Sequence, residues 1–295
     1  MRTRPTARTG RAAPPAPSAE FLAAYDAVLA HWPAGTERSA VPTPFGETRV
    51  NSCGPHDAPP VLLLPGGGST STVWFTIAAE LGRTHRVHAV DIVGDAGRSV
   101  PNANPLRTVE DLAGWLDAVL DGLGLDSAAL CGHSYGGWIA LQYALNPNRR
   151  RRRVDKLVLL DPTLCFAGFS PRYLLHALPM LLRPTPRRTR AFVAWETYGA
   201  PLDPGWLRLH AMDFPAAGPA RGPRPDRTAL RELTVPTLLM LAERSRAHDV
   251  DRVAATARES LPDVRTVLLP GATHHSLPLA APAGTGGAIA DFLAE

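Results

Sequence analysis

Apolar residues recur along the chain in two alternating patterns: short continuous runs, and longer stretches with helical spacing. The continuous runs over residues 61–64, 128–131 and 156–160 are typical of strands buried on both faces of a sheet. Residues 109–123 and 138–145, which lie between such runs, have helical periodicity. Strands that alternate with helices imply right-handed crossovers between parallel strands. The pattern therefore predicts an α/β domain with a mostly parallel sheet.

This alternation starts late in the chain and is interrupted once. Residues 1–18 are rich in Arg, Pro and Ala and are interpreted as a disordered tail, and the apolar spacing of segment 19–40 predicts an N-terminal helix. After the sixth strand, residues 165–231 contain helix-like pieces and a loop rich in Pro, Gly and Arg. An insertion of this length indicates a cap over the C-terminal edge of the sheet, where open α/β folds bind ligands. Residues 41–164 and 232–295 are expected to form the core.

Composition adds few constraints. The chain of 295 residues has 31 basic and 27 acidic side chains, so its net charge of +4 gives no reason to expect a nucleic-acid partner. Its three cysteines, Cys53, Cys131 and Cys165, lack the spacing of a zinc site or a disulfide framework and indicate reduced thiols in a cytoplasmic protein. The five arginines at 149–153 are interpreted as a solvated basic loop. No apolar run reaches the ~20 residues of a membrane span, and no secretory signal is evident. We expect no metal, cofactor, membrane or nucleic acid, and the oligomeric state is left open.

A Gly-x-Ser-x-Gly turn is the first feature with chemical potential. The sequence Gly132-His133-Ser134-Tyr135-Gly136 follows an apolar strand and precedes a helical segment. A serine in such a turn lies on strained backbone at a helix N-terminus, where N–H groups favour developing negative charge. The two glycines avoid collisions between the strand and the helix. By itself, the pattern is equally consistent with a glycine-rich turn whose serine caps the helix.

Three further motifs accompany this turn: Pro65-Gly66-Gly67-Gly68 followed by Trp74, the segment 91–99, and Pro270-Gly271-Ala272-Thr273-His274-His275. Together and in this chain order, the four motifs resemble those of the α/β-hydrolase superfamily, in particular its capped, esterase-like and haloperoxidase-like members. The resemblance extends from about residue 40 to the C-terminus. It implies an α/β-hydrolase fold, with a mostly parallel eight-stranded sheet flanked by helices and a helical cap inserted after strand 6. It also implies a serine hydrolase that cleaves a small-molecule carboxylic ester through an acyl-enzyme intermediate.

The resemblance assigns roles to individual residues. Ser134 would be the nucleophile, and the backbone N–H groups of Gly67 and Tyr135 would form the oxyanion hole. A histidine must lie within hydrogen-bond reach of the serine to accept its proton. His274 and His275 both follow the last strand. We favour His274, because the turn after the strand fixes its position more tightly than the downstream helix fixes that of His275.

The acid behind the histidine departs from the family pattern. The aspartate that usually follows the seventh strand would fall on Ser245 of this chain. Asp249 lies further on, at the expected N-cap of the next helix. Asp161 directly follows the sixth strand, where some members carry the acid, so its carboxylate should emerge beside the nucleophile turn. We favour Asp161 over Asp249.

Other activities are compatible with the same residues. These are C–C bond hydrolysis, lactone opening, acyl transfer and cofactor-free haloperoxidation, because the cap and not the motif selects the substrate. A non-catalytic protein that binds small molecules on the hydrolase scaffold is the main alternative outside enzymes. The missing aspartate after the seventh strand favours this alternative.

Overall fold

The fold is organised by one twisted sheet. The structure is a computed structural model, and it describes residues 16–146, 153–214, 220 and 222–295. Within these residues the strands are β1 (Glu37–Thr43), β2 (Gly46–Cys53), β3 (Pro60–Leu64), β4 (Arg86–Val90), β5 (Val100–Pro101), β6 (Ala128–His133), β7 (Val154–Leu160), β8 (Thr237–Ala242) and β9 (Val264–Leu269). Eight of them follow the order β1-β2-β4-β3-β6-β7-β8-β9, and β5 pairs with β2. The pairs β1–β2, β2–β4 and β2–β5 are antiparallel, and all other pairs are parallel.

The predicted mostly parallel sheet of eight strands is confirmed, and the two-residue strand β5 is a ninth that was not predicted. Because β5 precedes β6, the strand that was counted sixth in the sequence is β7 of the structure, and the seventh is β8. Pairing of β5 with β2 brings Gly46 so close to Val100 that a Cβ on Gly46 would lie 2.1 Å from the carbonyl oxygen of Val100. Such a short pairing has no periodic pattern of its own, so sequence periodicity does not reveal it.

Helices cover both faces of the sheet. They are α1 (Ala19–Leu29), α2 (Phe75–Leu81), α3 (Val109–Gly122), α4 (Tyr135–Leu145), α5 (Pro171–Leu182), α6 (Pro186–Glu196), α7 (Pro204–His210), α8 (Arg227–Arg231), α9 (Val250–Ser260) and α10 (Thr285–Ala294). Alternate residues of the buried strands face opposite ways. Leu62 and Leu64 of β3 therefore pack in one core with α3, α4 and α9, while Val61 and Leu63 pack in a second core with α1, α2 and α10.

The N-terminal helix is shorter than the predicted segment 19–40. It begins after Ser18, whose Oγ accepts a hydrogen bond from Phe21 N at 3.1 Å, and it ends at Leu29. Pro33 and the left-handed Gly35 (φ 81°) redirect the chain, and β1 then pairs with β2 from residue 37 onward. Residues 37–40 were therefore assigned wrongly. Of the tail predicted over residues 1–18, residues 1–15 lie outside the described part of the chain.

Residues 165–231, called the insertion below, contain the four helices α5 to α8 in their described part. The predicted division of the chain into a core and a cap stays a prediction. Of the arginine run 149–153, only Arg153 lies within the described residues. It is buried and binds Asp121 at 2.7 Å and Asp117 at 3.3 Å, so this arginine is not a solvated one. No helix in the described ranges has the length and apolar character needed to cross a membrane.

Candidate active site

The turn between β6 and α4 holds Ser134 in an uncommon backbone conformation, with φ 52° and ψ −115°. The close approach of neighbouring backbone explains both flanking glycines. A Cβ on Gly132 would lie 2.3 Å from the carbonyl oxygen of Gly136, and a Cβ on Gly136 would lie 2.1 Å from that of Leu64. Strained backbone of this kind persists only where the surroundings enforce it, and it clusters at functional sites. The turn presents the Ser134 side chain at the N-terminus of α4.

The structure brings Ser134, His274 and Asp161 together in a single chain of contacts. Nε2 of His274 lies 2.9 Å from Ser134 Oγ, and Nδ1 of His274 lies 2.7 Å from Asp161 Oδ2. The two alternatives weighed from the sequence point elsewhere. His275 Nδ1 lies 3.1 Å from a carboxylate oxygen of Glu196, and Asp249 accepts a hydrogen bond from Arg252 N at the start of α9.

Asp161 is fully buried and all its contacts stabilise a charged carboxylate. Oδ1 accepts a hydrogen bond from Ala242 N at 3.1 Å and lies 3.1 Å from His248 Nε2, and Oδ2 accepts one from Ser245 Oγ at 2.7 Å. Burial opposes ionisation, but the charges and hydrogen bonds of His248 and His274 outweigh it and hold the pKa of Asp161 well below its ordinary value. An ionised carboxylate only accepts hydrogen bonds, so His274 must donate from Nδ1. Its Nε2 is then left as the acceptor that faces Ser134.

The pKa of His274 is raised above its ordinary value of 6.5. Burial acts in the opposite direction, since it disfavours the charged ring. The hydrogen bond and the negative charge of Asp161, with a further contribution from the charge of Glu196, outweigh this cost. The site is therefore prepared to stabilise a protonated imidazole.

Glu196 and His133 hold the backbone of His274 from two sides. The carboxylate of Glu196, at the end of α6 in the insertion, accepts hydrogen bonds from His274 N at 3.0 Å and His275 N at 2.9 Å. Burial alone would raise its pKa, but contacts with His275 lower it to about 2, so Glu196 is a buried anion. His133 Nε2 lies 3.0 Å from the carbonyl oxygen of His274, and burial lowers the pKa of His133 to about 3. The neutral ring therefore donates this hydrogen bond from Nε2.

Sequence reasoning missed both Glu196 and His248. A signal for Glu196 was available: it is the only acidic residue between positions 162 and 202, in a stretch that is otherwise basic. Nothing comparable marks His248, whose contact with Asp161 spans 87 positions of the chain.

Gly67 and Tyr135, which the resemblance predicts as the oxyanion hole, lie close to each other and to Ser134. A Cβ on Gly67 would lie 3.6 Å from Tyr135 Cβ, and both residues line a cavity together with Ser134. Tyr135 is the first residue of α4, so its N–H has no acceptor within the helix. Asp95 supports the glycine loop, because its Oδ2 accepts a hydrogen bond from Gly68 N at 3.0 Å.

The cavity next to Ser134 has a volume of about 560 Å³, and the core and the insertion both contribute to its wall. It adjoins a second cavity of about 480 Å³ that has several lining residues in common with the first. The side chains that line both cavities are Ser69, Tyr173, Leu181, Trp206, His210 and His275. Within the described residues, the wall of the first cavity contains no Lys, Arg, Asp or Glu. It therefore suits an uncharged, largely apolar molecule.

The arrangement contains the components that acyl transfer needs: a hydroxyl, a base oriented by an anion, and backbone N–H groups at a helix start. No group of three or more His, Cys, Asp and Glu side chains in the described ranges is arranged to hold a metal ion.

Comparisons with known proteins agree with the fold. Residues 61–286 match the model of the alpha/beta hydrolase family. A carboxylesterase of Bacillus subtilis, YbfK, is 30% identical over 264 residues, which cover 86% of this chain and 87% of that protein. The crystal structure of this carboxylesterase, also called CesB, superposes with a TM-score of 0.84 over 93% of this chain and 97% of that one. A naproxen esterase from the same organism is 28% identical and superposes with a TM-score of 0.83, over 95% of this chain and 100% of its own. The chain therefore belongs to the alpha/beta hydrolase family and is a hydrolase similar to carboxylesterases.

Proposed function

We propose that the protein is a serine esterase that hydrolyses small-molecule carboxylic esters through an acyl-enzyme intermediate. The observation that carries this proposal is the chain of contacts from Ser134 Oγ to His274 Nε2 at 2.9 Å and from His274 Nδ1 to Asp161 Oδ2 at 2.7 Å. The B. subtilis relatives support it, since both are named as carboxylesterases.

Each group has one task in the reaction. Ser134 Oγ attacks the ester carbonyl carbon while His274 Nε2 takes its proton, and the N–H groups of Gly67 and Tyr135 bind the oxygen that becomes negative. His274 then returns the proton to the departing alcohol. A water molecule, deprotonated by the same nitrogen, attacks the acyl-enzyme and releases the acid. Asp161 keeps Nδ1 protonated and stabilises the imidazolium.

The insertion acts as a cap that selects the substrate. Its aromatic and apolar side chains close the first cavity, and the absence of charged residues from the described part of the wall favours an uncharged ester over an anionic substrate. This preference weighs against carbon–carbon bond hydrolysis of anionic substrates. The two adjoining cavities provide separate space for the acyl and alcohol portions.

Glu196 acts as a positioning residue. It binds the backbone N–H groups of His274 and His275 from the end of α6, so the position of the cap and the position of the base are linked. Its charge also contributes to the raised pKa of His274.

The test is labelling with a fluorophosphonate probe, together with hydrolysis of a panel of chromogenic esters, lactones and thioesters. Ser134→Ala should abolish both labelling and turnover. Ser69→Ala is the matched control, because Ser69 lines the same cavity while the two ring nitrogens of His274 contact Ser134 and Asp161. Equal labelling of the two variants would refute the assignment of the nucleophile. Tight binding of acyl compounds without turnover would support the binding-protein alternative.

A further inference from the structure

Helix α5 of the insertion exposes a continuous apolar face. Five of the nine large apolar side chains that are exposed in the described part of the chain belong to this single helix, and they are between 46% and 71% exposed. They are Leu174, Leu175, Leu178, Leu181 and Leu182, here called the leucine face. Their spacing places them on one side of the helix. The other side packs inward through Ala177, which is buried. Apolar clusters of this kind on soluble proteins mark interaction sites.

The surroundings of the leucine face are positively charged. Between residues 165 and 202 the chain has five arginines, at positions 172, 183, 187, 188 and 190. The only acidic residue of this stretch, Glu196, is buried against His274 and His275. Arg188 donates hydrogen bonds to the carbonyl oxygens of Pro179 and Arg183, so one arginine of α6 is held against the end of α5. The exposed surface of this stretch therefore combines apolar and basic groups and has no exposed carboxylate.

In contrast to the sequence-based expectation of no membrane partner, we propose that the leucine face and its arginines dock the protein on an anionic lipid surface. An amphipathic helix with leucines on one face and arginines beside them inserts its apolar side chains at the level of the headgroups, while the arginines contact lipid phosphates. A second copy of the chain fits less well, because pairing two leucine faces brings two sets of five arginines together. The N-terminal segment 1–15 fits poorly too, since it has four arginines and no Leu, Ile, Val, Phe, Tyr or Trp.

The docking surface borders the candidate active site. Leu181 is 64% exposed and also lines both cavities. An apolar ester dissolved in the lipid would therefore reach the cavity close to the point of contact. This docking goes beyond the proposed esterase activity and does not depend on it, because binding to lipid can be measured without turnover.

The test is cosedimentation of the full chain with vesicles of phosphatidylcholine alone and of phosphatidylcholine mixed with phosphatidylglycerol. We expect binding to the mixed vesicles, weakened by added salt, and little binding to the neutral ones. The double variant Leu175→Ser, Leu182→Ser should lose at least about tenfold in affinity for the mixed vesicles. It should hydrolyse a water-soluble ester at the normal rate, because neither leucine is among the described residues that line the two cavities beside Ser134. Leu268→Ser, which changes an exposed leucine of β9, is the matched control and should bind normally.

Arginine variants test the charge requirement separately. Arg187→Gln with Arg190→Gln should weaken binding to the mixed vesicles by about 25-fold, as expected from roughly fivefold for each arginine near an anionic surface. Arg258→Gln, on the exposed side of α9, should have no effect. Binding that is equal on neutral and anionic vesicles, or no binding to either, overturns the proposal. So does a dimer in sedimentation equilibrium that the leucine double variant dissociates, since the face would then belong to a second copy.

Discussion

Replacement of Asp161 by asparagine tests the proposed acid most sharply, because the surrounding donors dictate how the amide must lie. Ala242 N is an obligate donor to Oδ1, so the amide oxygen must occupy that position. The NH2 group then occupies the position of Oδ2 and faces His274 Nδ1, which is 2.7 Å away. Because Nδ1 then faces the NH2 group of the asparagine, which is a donor, Nδ1 must act as an acceptor. The ring proton therefore moves to Nε2 and points towards Ser134. The variant therefore holds the histidine in the tautomer that cannot accept the serine proton.

The expected loss is large. Presenting the wrong histidine tautomer to a nucleophilic serine costs about 10⁴-fold in kcat. This factor corresponds to about 5.5 kcal/mol of transition-state stabilisation, at roughly 1.36 kcal/mol for each factor of ten.

The assay is kcat for a chromogenic ester, with the rate of fluorophosphonate labelling as a second readout and thermal unfolding as a check on folding. Asp249→Asn is the matched control, because asparagine caps a helix as well as aspartate does and should leave kcat unchanged. If folded Asp161→Asn retains activity within about tenfold of the parent, the reasoning about the tautomer is wrong. A large loss in Asp249→Asn instead would move the acid to that position.

The geometry gives four further expected outcomes. Because the pKa of His274 is raised above 6.5 and only the neutral ring accepts a proton, kcat/KM should increase with pH through a midpoint above 6.5 in a pH–rate profile. A midpoint below 6.5 would contradict the stabilisation of the imidazolium by Asp161. Glu196→Gln removes a negative charge that raises the pKa of His274, so the midpoint of kcat/KM against pH should shift to lower pH. An unchanged midpoint with a lower kcat would indicate that Glu196 acts only through its hydrogen bond with the backbone of His274. Gly136→Ala should reduce the free energy of unfolding by about 1–3 kcal/mol or more, because its Cβ would overlap the carbonyl oxygen of Leu64. Gly287→Ala, in α10 with open space around it, should instead stabilise the protein by about 0.5–1 kcal/mol in the same denaturant titration.

Most of the sheet could be predicted from the sequence because its strands are buried on both faces. The short continuous apolar runs that become β3, β6 and β7 are typical of strands that are covered on both faces. The helices between these strands allow them to pair in parallel. The N-terminal segment 19–40 was harder to predict, because the helical spacing of its first part does not reveal that its last residues pair with β2. The antiparallel contact of residues 37–40 with β2 depends on long-range geometry and not on local preference.

The residues of the candidate site also differ in how far the sequence alone predicts them. The Gly-x-Ser-x-Gly motif indicated that Ser134 lies in a tight turn before a helix, whose glycines are required by close backbone contacts. Its selection as the candidate nucleophile needed the chain order of the other three motifs. The choice between His274 and His275 required the path of the turn after β9, because neighbouring residues point in different directions. Glu196 stands out in the sequence as an isolated acidic residue, but its contact with His274 N could not be predicted, because this contact spans 78 positions and depends on how the insertion packs on the core.

The hydrogen bond between Ser245 and Asp161 has a consequence for which strand can supply the acid. Ser245 stands where the family pattern has its aspartate, and its Oγ lies 2.7 Å from Asp161 Oδ2, the oxygen that contacts His274. Two positions that are 84 residues apart in the chain thus bring oxygen atoms to adjoining points at the ends of β7 and β8. A carboxylate could therefore be supplied to the same region from either strand end while the histidine stays on the turn after β9.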